Sequence, residues 1–153
     1  MNWAHVHIFL NHIPVWGTVF GTLLLAFGMV RKSEEIKRVS LGVFVIVAVL
    51  TLPVYFTGEP AEEIVEHLEG VSEPIIEEHE KLALVSFIAV LILGVIALIA
   101  LWRYRRADAV PKGFVMTVLI LSIVVWGLMI WTANLGGKIR HSEIRSEASS
   151  HPQ

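Results

Sequence analysis

The chain has 153 residues, of which 55% are hydrophobic and 17% charged, with a formal net charge of -2. Soluble domains carry about 25% charged residues, so this deficit, together with four long spans free of Lys, Arg, Asp and Glu, excludes a soluble enzyme and a nucleic-acid-binding protein. Cysteine is absent, which excludes disulfides, zinc–thiolate sites, iron–sulfur clusters and covalently attached c-type haem.

The four charge-free spans predict four transmembrane helices, each near the roughly 20 residues that a bilayer requires. They are continuous apolar runs without alternation, so we expect an all-α integral membrane four-helix bundle and not a barrel. One domain should cover residues 1–141. Its predicted spans are about 5–30, 39–57, 82–103 and 113–135.

The segments outside the spans have their own signals. Residues 58–81 form an acidic loop, in which Pro60 suits the first turn of a short helix that ends near Gly70. Ser72 resembles the N-cap of a further helix, which we expect to continue through His79 into the third span. Residues 142–153 are polar and rich in serine, and we expect them to be disordered.

The distribution of charge predicts an orientation. The first and third loops hold most of the basic residues, and the second loop holds a run of glutamates. Because cytoplasmic loops are enriched in Lys and Arg, the acidic loop and both termini should face outwards. In a double-membrane bacterium this is a multi-pass protein of the inner membrane, with its amino and carboxyl termini on the periplasmic side.

All seven histidines fall on this predicted outer side: His5, His7, His12, His67, His79, His141 and His151. Ionisable residues at membrane depth are candidates for function. No two histidines of the first span are three or four residues apart, which is the spacing that places two rings on one helix face. A shared site therefore needs histidines from different segments.

His12 and His79 are the best predicted pair, because they lie at similar depth in the first and third helices. His7, His67 and His141 are the second choice.

Ala83 and Ser86 lie below His79 on its own face, and Trp16 lies one turn below His12. A space with such walls, together with the small residues Gly17 and Gly21, suits a flat macrocycle that is ligated on both faces. The alternative is that Gly17 and Gly21 serve only helix packing, and that Trp16 belongs to an interfacial aromatic belt.

The run from His7 to Pro14 matches the spacing His-x4-His-x-Pro through His7, His12 and Pro14. This resembles the opening of a family of small bacterial four-helix membrane proteins, which begin with His-Pro, three residues and then His-Phe-Pro. A Gly-acidic pair (Gly58-Glu59), a histidine opening the third helix (His79) and a late Gly-Gly pair are also similar. The resemblance implies a bundle with a histidine-lined outer end that binds haem, and it supplies no reaction.

The leading hypothesis is a b-type cytochrome that transfers electrons through one or two non-covalent haems near the outer face. With both axial positions of the iron filled, the protein would carry electrons and would not be a catalyst. A second hypothesis is a carrier or sensor that holds a Cu, Zn or Fe ion with histidines and carboxylates. A third is a cofactor-free structural subunit of a respiratory membrane complex.

Partners follow from the same hypotheses. Besides the lipid bilayer, we expect a quinol or another membrane redox partner, and a basic periplasmic redox protein that docks on the acidic loop. The glycine faces would also allow a homodimer.

Overall fold

A computed structural model describes residues 3–65 and 73–140 of the chain. The described residues are helical and contain no β-strand, as the sequence predicts. The six helices are α1 (Trp3–Leu10), α2 (His12–Val30), α3 (Glu34–Phe56), α4 (Gly58–Val65), α5 (Glu73–Arg103) and α6 (Lys112–Arg140). Four helical stretches are long and apolar enough to cross a membrane: His5–Val30, Glu34–Ile64, Glu73–Arg103 and Lys112–Ile139.

The first apolar stretch is divided at Asn11, which is a turn between α1 and α2. Pro14 follows, and it has no N–H with which to bond the carbonyl of Leu10, so the helical ladder is interrupted there. The amide of Asn11 still bonds the carbonyl of His7 at 2.9 Å. As a result His7 belongs to α1, which packs mainly on α4, whereas His12 begins α2.

A tight turn joins α2 to α3. The amide of Ser33 donates to the carbonyl of Gly28 at 2.9 Å, and the amide of Lys32 donates to the carbonyl of Met29 at 3.2 Å. This is the pair of bonds in a Schellman ending, whose central residue takes a left-handed conformation. Here that residue is Lys32, with φ 54°. The Ser33 side chain then accepts a bond from the amide of Ile36 and caps α3.

The four long helices form a bundle in which α3 packs on α2 and α5, and α6 packs on α5 and α2. Neighbouring helices run antiparallel. The glycine stripe of α2 lies against α3, where an added Cβ at Gly21 would come within 2.6 Å of Phe44 Cε1. Phe44 is only 1% exposed. The stripe that we considered as a cofactor wall therefore serves close packing of two helices.

At the basic end of the bundle, side chains of α3 tie the two loops together. Arg38 Nη2 donates to the carbonyls of Tyr104 at 3.0 Å and Ala107 at 2.8 Å. Glu34 Oε2 accepts from the amide of Val110 at 3.0 Å, and Glu34 Oε1 pairs with the largely buried Lys37 at 2.6 Å. The turn after α2 and the loop after α5 therefore form one surface.

At the other end, α5 begins at Glu73, so one continuous helix of 31 residues carries His79 into the bundle. The short acidic helix α4 begins at Gly58, so Pro60 lies in its first turn, as the sequence predicts. Ser72 and Gly70, and the predicted polar tail, lie outside the described residues.

A candidate histidine site at one end of the bundle

His79 is half-buried on α5 and bonds to α6. Its Nδ1 lies 3.1 Å from the backbone carbonyl of Thr132. A carbonyl can only accept, so Nδ1 carries the proton and Nε2 keeps its lone pair. Gly136 makes room for the ring, because a Cβ there would lie 3.2 Å from His79 Cε1.

His7 has a matching arrangement on α1. Its half-buried ring places Nδ1 3.1 Å from the carbonyl of Val54 and 3.2 Å from Thr57 Oγ1. The Thr57 hydroxyl itself donates to the carbonyl of Val54 at 2.9 Å, so its oxygen is able to accept from His7. His7 therefore also carries its proton on Nδ1 and keeps the lone pair on Nε2. Gly58 lies beside this ring, where an added Cβ would be 3.7 Å from His7 Cε1.

His7 and His79 lie at the same end of the bundle, since they bond to residues near the carboxyl ends of α3 and α6. The two rings come from different helices, and each donates its Nδ1 proton to a carbonyl of yet another helix, α3 for His7 and α6 for His79. A backbone carbonyl on one ring nitrogen fixes the tautomer and the ring orientation of many metal-ligating histidines. The pair thus presents two oriented Nε2 lone pairs at one end of the bundle.

His12 has a different environment from that predicted for it. Its ring is exposed, and its Nδ1 donates to the carbonyl of Ile8 on the preceding turn at 2.9 Å. His7, five residues earlier, lies about 140° from His12 around the helical stretch, and its ring bonds to the carbonyl of Val54 on α3. The geometry therefore favours His7 over His12 as the partner of His79.

The three residues that were predicted to line the site, Trp16, Ala83 and Ser86, differ in how deeply they are buried. Trp16 is 67% exposed. Ala83 is half-buried on α5. Ser86 is fully buried and its Oγ lies 2.8 Å from Thr132 Oγ1, so it links α5 to α6. Thr132 Oγ1 in turn donates to the carbonyl of Leu128 at 2.9 Å.

Ser86 therefore does not contact the imidazole of His79. It bonds to the side chain of Thr132, whose backbone carbonyl accepts the His79 proton. Sequence reasoning selected Ser86 as a wall of a space, and it missed Thr132, Thr57, Gly136 and the carbonyl of Val54. Carbonyl acceptors leave no signal in a sequence, because every residue has one.

Among residues 3–65 and 73–140, no group of three or more His, Asp or Glu side chains is arranged to hold a metal ion. A two-histidine haem site needs no such group, since the porphyrin supplies the other four ligands to the iron. His67 and His141, the remaining second-choice ligands, lie outside the described residues.

Comparisons with protein-family models, with curated proteins and with solved structures gave no significant match to the chain.

Proposed function

We propose that this chain is a small membrane-spanning b-type cytochrome, in which His7 and His79 are the axial ligands of one non-covalent haem. One observation carries the proposal: the two half-buried imidazoles come from separate helices, and each has its Nδ1 proton bound to a carbonyl. Their Nε2 atoms are left as neutral nitrogen donors, which is the form that haem iron binds. The resemblance to four-helix membrane proteins with His-x4-His-x-Pro supports haem binding at the histidine end.

Haem supplies a one-electron redox couple to such a site. The chain's residues hold the ligands in orientation: the carbonyls of Val54 and Thr132 fix the tautomers, and Thr57 shares the proton of His7. With both axial positions taken by histidine, substrate has no open coordination position. We therefore propose electron transfer as the activity, with a quinol or another membrane donor and an acceptor outside.

An absorption spectrum tests this. The chain purified in detergent from haem-replete cells should show a Soret band and sharp α and β bands on reduction. His7→Ala and His79→Ala should each abolish the six-coordinate spectrum. His12→Ala is the matched control, since it removes an exposed imidazole from the same stretch of chain, and it should leave the spectrum unchanged.

Other outcomes separate the alternatives. A colourless chain with a stoichiometric metal ion would favour an ion carrier or sensor, and a colourless chain without metal would favour a structural subunit. Loss of the spectrum in His12→Ala with retention in His7→Ala would restore the His12–His79 pair. An iron-to-protein ratio near two would require a second pair that draws on His12 and on His67 or His141.

We also propose that the histidine end faces the periplasm and that the basic end faces the cytoplasm of a bacterial inner membrane, following the positive-inside rule. The chain has no cysteine, so single cysteines report cleanly. Glu63 and Asp108 are both exposed and lie in segments from opposite ends of the bundle. An impermeant maleimide should label Glu63→Cys and spare Asp108→Cys in intact cells, and the opposite pattern would reverse the orientation.

A further inference from the structure

Six exposed cations lie at the end of the bundle opposite the histidine pair, and we call them the basic end. They are Arg31, Lys32, Arg103, Arg105, Arg106 and Lys112. The bonds from Arg38 to the carbonyls after α5, and from the amide of Val110 to Glu34, hold the two loops side by side. The six charges therefore belong to one surface and not to two independent loops.

The positive charge of this surface is not neutralised by the chain itself. Among residues 3–65 and 73–140, none of the six forms an ion pair. Glu34 at the same end pairs with Lys37, which is not one of the six. At this end of the bundle the exposed carboxylates are Glu35, in the first turn of α3, and Asp108, in the loop after α5, so the cations are in clear excess.

Two aromatic rings position part of this charge. The Arg105 guanidinium lies over the Trp102 ring, 5.4 Å from its centroid, and its Nη1 donates to the Trp102 carbonyl at 3.3 Å. The Arg103 guanidinium lies 5.7 Å from the centroid of the Tyr104 ring. Trp102 is 67% exposed. A guanidinium stacked on a ring still has N–H groups at its edge, which suit the two oxygens of a phosphodiester.

We propose that Arg103 and Arg105, beside Trp102, bind the headgroup of an anionic phospholipid, with Arg106 and Lys112 adding to the attraction. Trp102 lies at the end of a long apolar helix, and tryptophan prefers the level of lipid headgroups. The acyl chains would lie along the exposed apolar side of α5, which includes Leu98 and Ile99. This inference rests on membrane insertion of the four helices and is independent of haem.

The test uses the full chain in a neutral detergent, titrated with phosphatidylglycerol or with phosphatidylcholine of the same acyl chains. A ligand that binds the folded state raises the unfolding temperature. We expect a saturable rise with phosphatidylglycerol, little with phosphatidylcholine, and none with inorganic phosphate at the same concentration. Arg103→Gln/Arg105→Gln should weaken the apparent affinity for phosphatidylglycerol by about tenfold to thirtyfold.

Lys81→Gln/Lys138→Gln is the matched control, since it removes two positive charges from the opposite end, and its affinity should be unchanged. If Arg103→Gln/Arg105→Gln does not fold, Arg106→Gln/Lys112→Gln takes its place with a smaller expected loss. The proposal is overturned by equal responses to the two lipids, or by wild-type affinity in the arginine variant. A rise with inorganic phosphate alone would replace the lipid by a simple anion site and overturn it as well.

Discussion

The Nδ1 atom of His79 donates a hydrogen bond to the carbonyl of Thr132 at 3.1 Å, across the interface between α5 and α6. Gly136, one turn after Thr132, has no side chain in the path of the imidazole, and an added Cβ would lie 3.2 Å from its Cε1. This close approach lets the ring of His79 bond to a backbone carbonyl within the helix α6.

Gly136→Ala should therefore disturb the candidate site. The new methyl group would push the imidazole by a few tenths of an ångström and lengthen its bond to Thr132. Because partners of this kind typically influence metal affinity by tenfold or more, we expect haem affinity to fall by about tenfold. Haem titration of the apoprotein measures this. Gly137→Ala is the control, since no atom lies within 4 Å of a Cβ there, and equal affinities in both variants would contradict the prediction.

Ser86→Ala should destabilise the fold through the interface of α5 and α6. The change removes the bond to Thr132 Oγ1 at 2.8 Å, and hydrogen bonds between membrane helices contribute on average about 0.6 kcal/mol. Ser122→Ala is the control, because its hydroxyl is also buried but bonds within its own helix, to Leu119. Unfolding in mixed micelles should show a larger loss of free energy of unfolding for Ser86→Ala, and the reverse order would refute the role of this bond.

Lys32→Gly should stabilise the protein. Lys32 has φ 54°, a left-handed conformation that costs a residue with a Cβ about 1–2 kcal/mol. Glycine removes this cost but loses more entropy on folding, so we expect a net gain of about 0.5–1 kcal/mol. Arg31→Gly is the control, because it removes one positive charge from the neighbouring residue, which has a right-handed conformation with φ -76°. It should destabilise the protein by about 0.5–1 kcal/mol. Chemical denaturation compares the two, and a loss in Lys32→Gly would be inconsistent with the argument.

Gly94→Ala should weaken the contact between α3 and α5. Its new Cβ would collide with the Cβ of Ala48, which is itself buried. Overpacking of this kind typically costs about 1–3 kcal/mol. At Gly42 a Cβ would meet no atom within 4 Å, so Gly42→Ala should be neutral or stabilise by up to about 1 kcal/mol. Thermal unfolding of the two variants should therefore differ in direction, and similar melting temperatures would count against tight packing at Gly94.

Much of the architecture follows from local composition. Residues without charge over 20 or more positions predict apolar helices, and the four helices at 5–30, 34–64, 73–103 and 112–139 agree with that prediction. Apolar helices depend on residues that are close together in the sequence, so they can be predicted without a structure.

The hydrogen-bond partners of the histidines could not be predicted from the sequence, and the reason is geometric. Equal depth in the membrane favoured His12 as the partner of His79, but depth does not determine which way a ring faces. His7 and His12 are five residues apart and face different directions, so His7 bonds to Val54 of α3 and to Thr57 just after it, while His12 bonds back to Ile8 on the preceding turn. Ser86 was correctly placed near His79 along α5, but its partner Thr132 lies 46 residues away in the chain.

By itself, then, the sequence determined that the described chain is mostly helical, that four of its stretches could cross a membrane, and that most of the basic residues lie at the end opposite the described histidines. These properties depend on hydropathy and charge, which each residue carries wherever it lies. Only the tertiary structure decided that the rings of His7 and His79 bond to other helices, because their orientation depends on backbone carbonyls of α3 and α6. Such acceptors are common to every residue, and only packing selects which two are used.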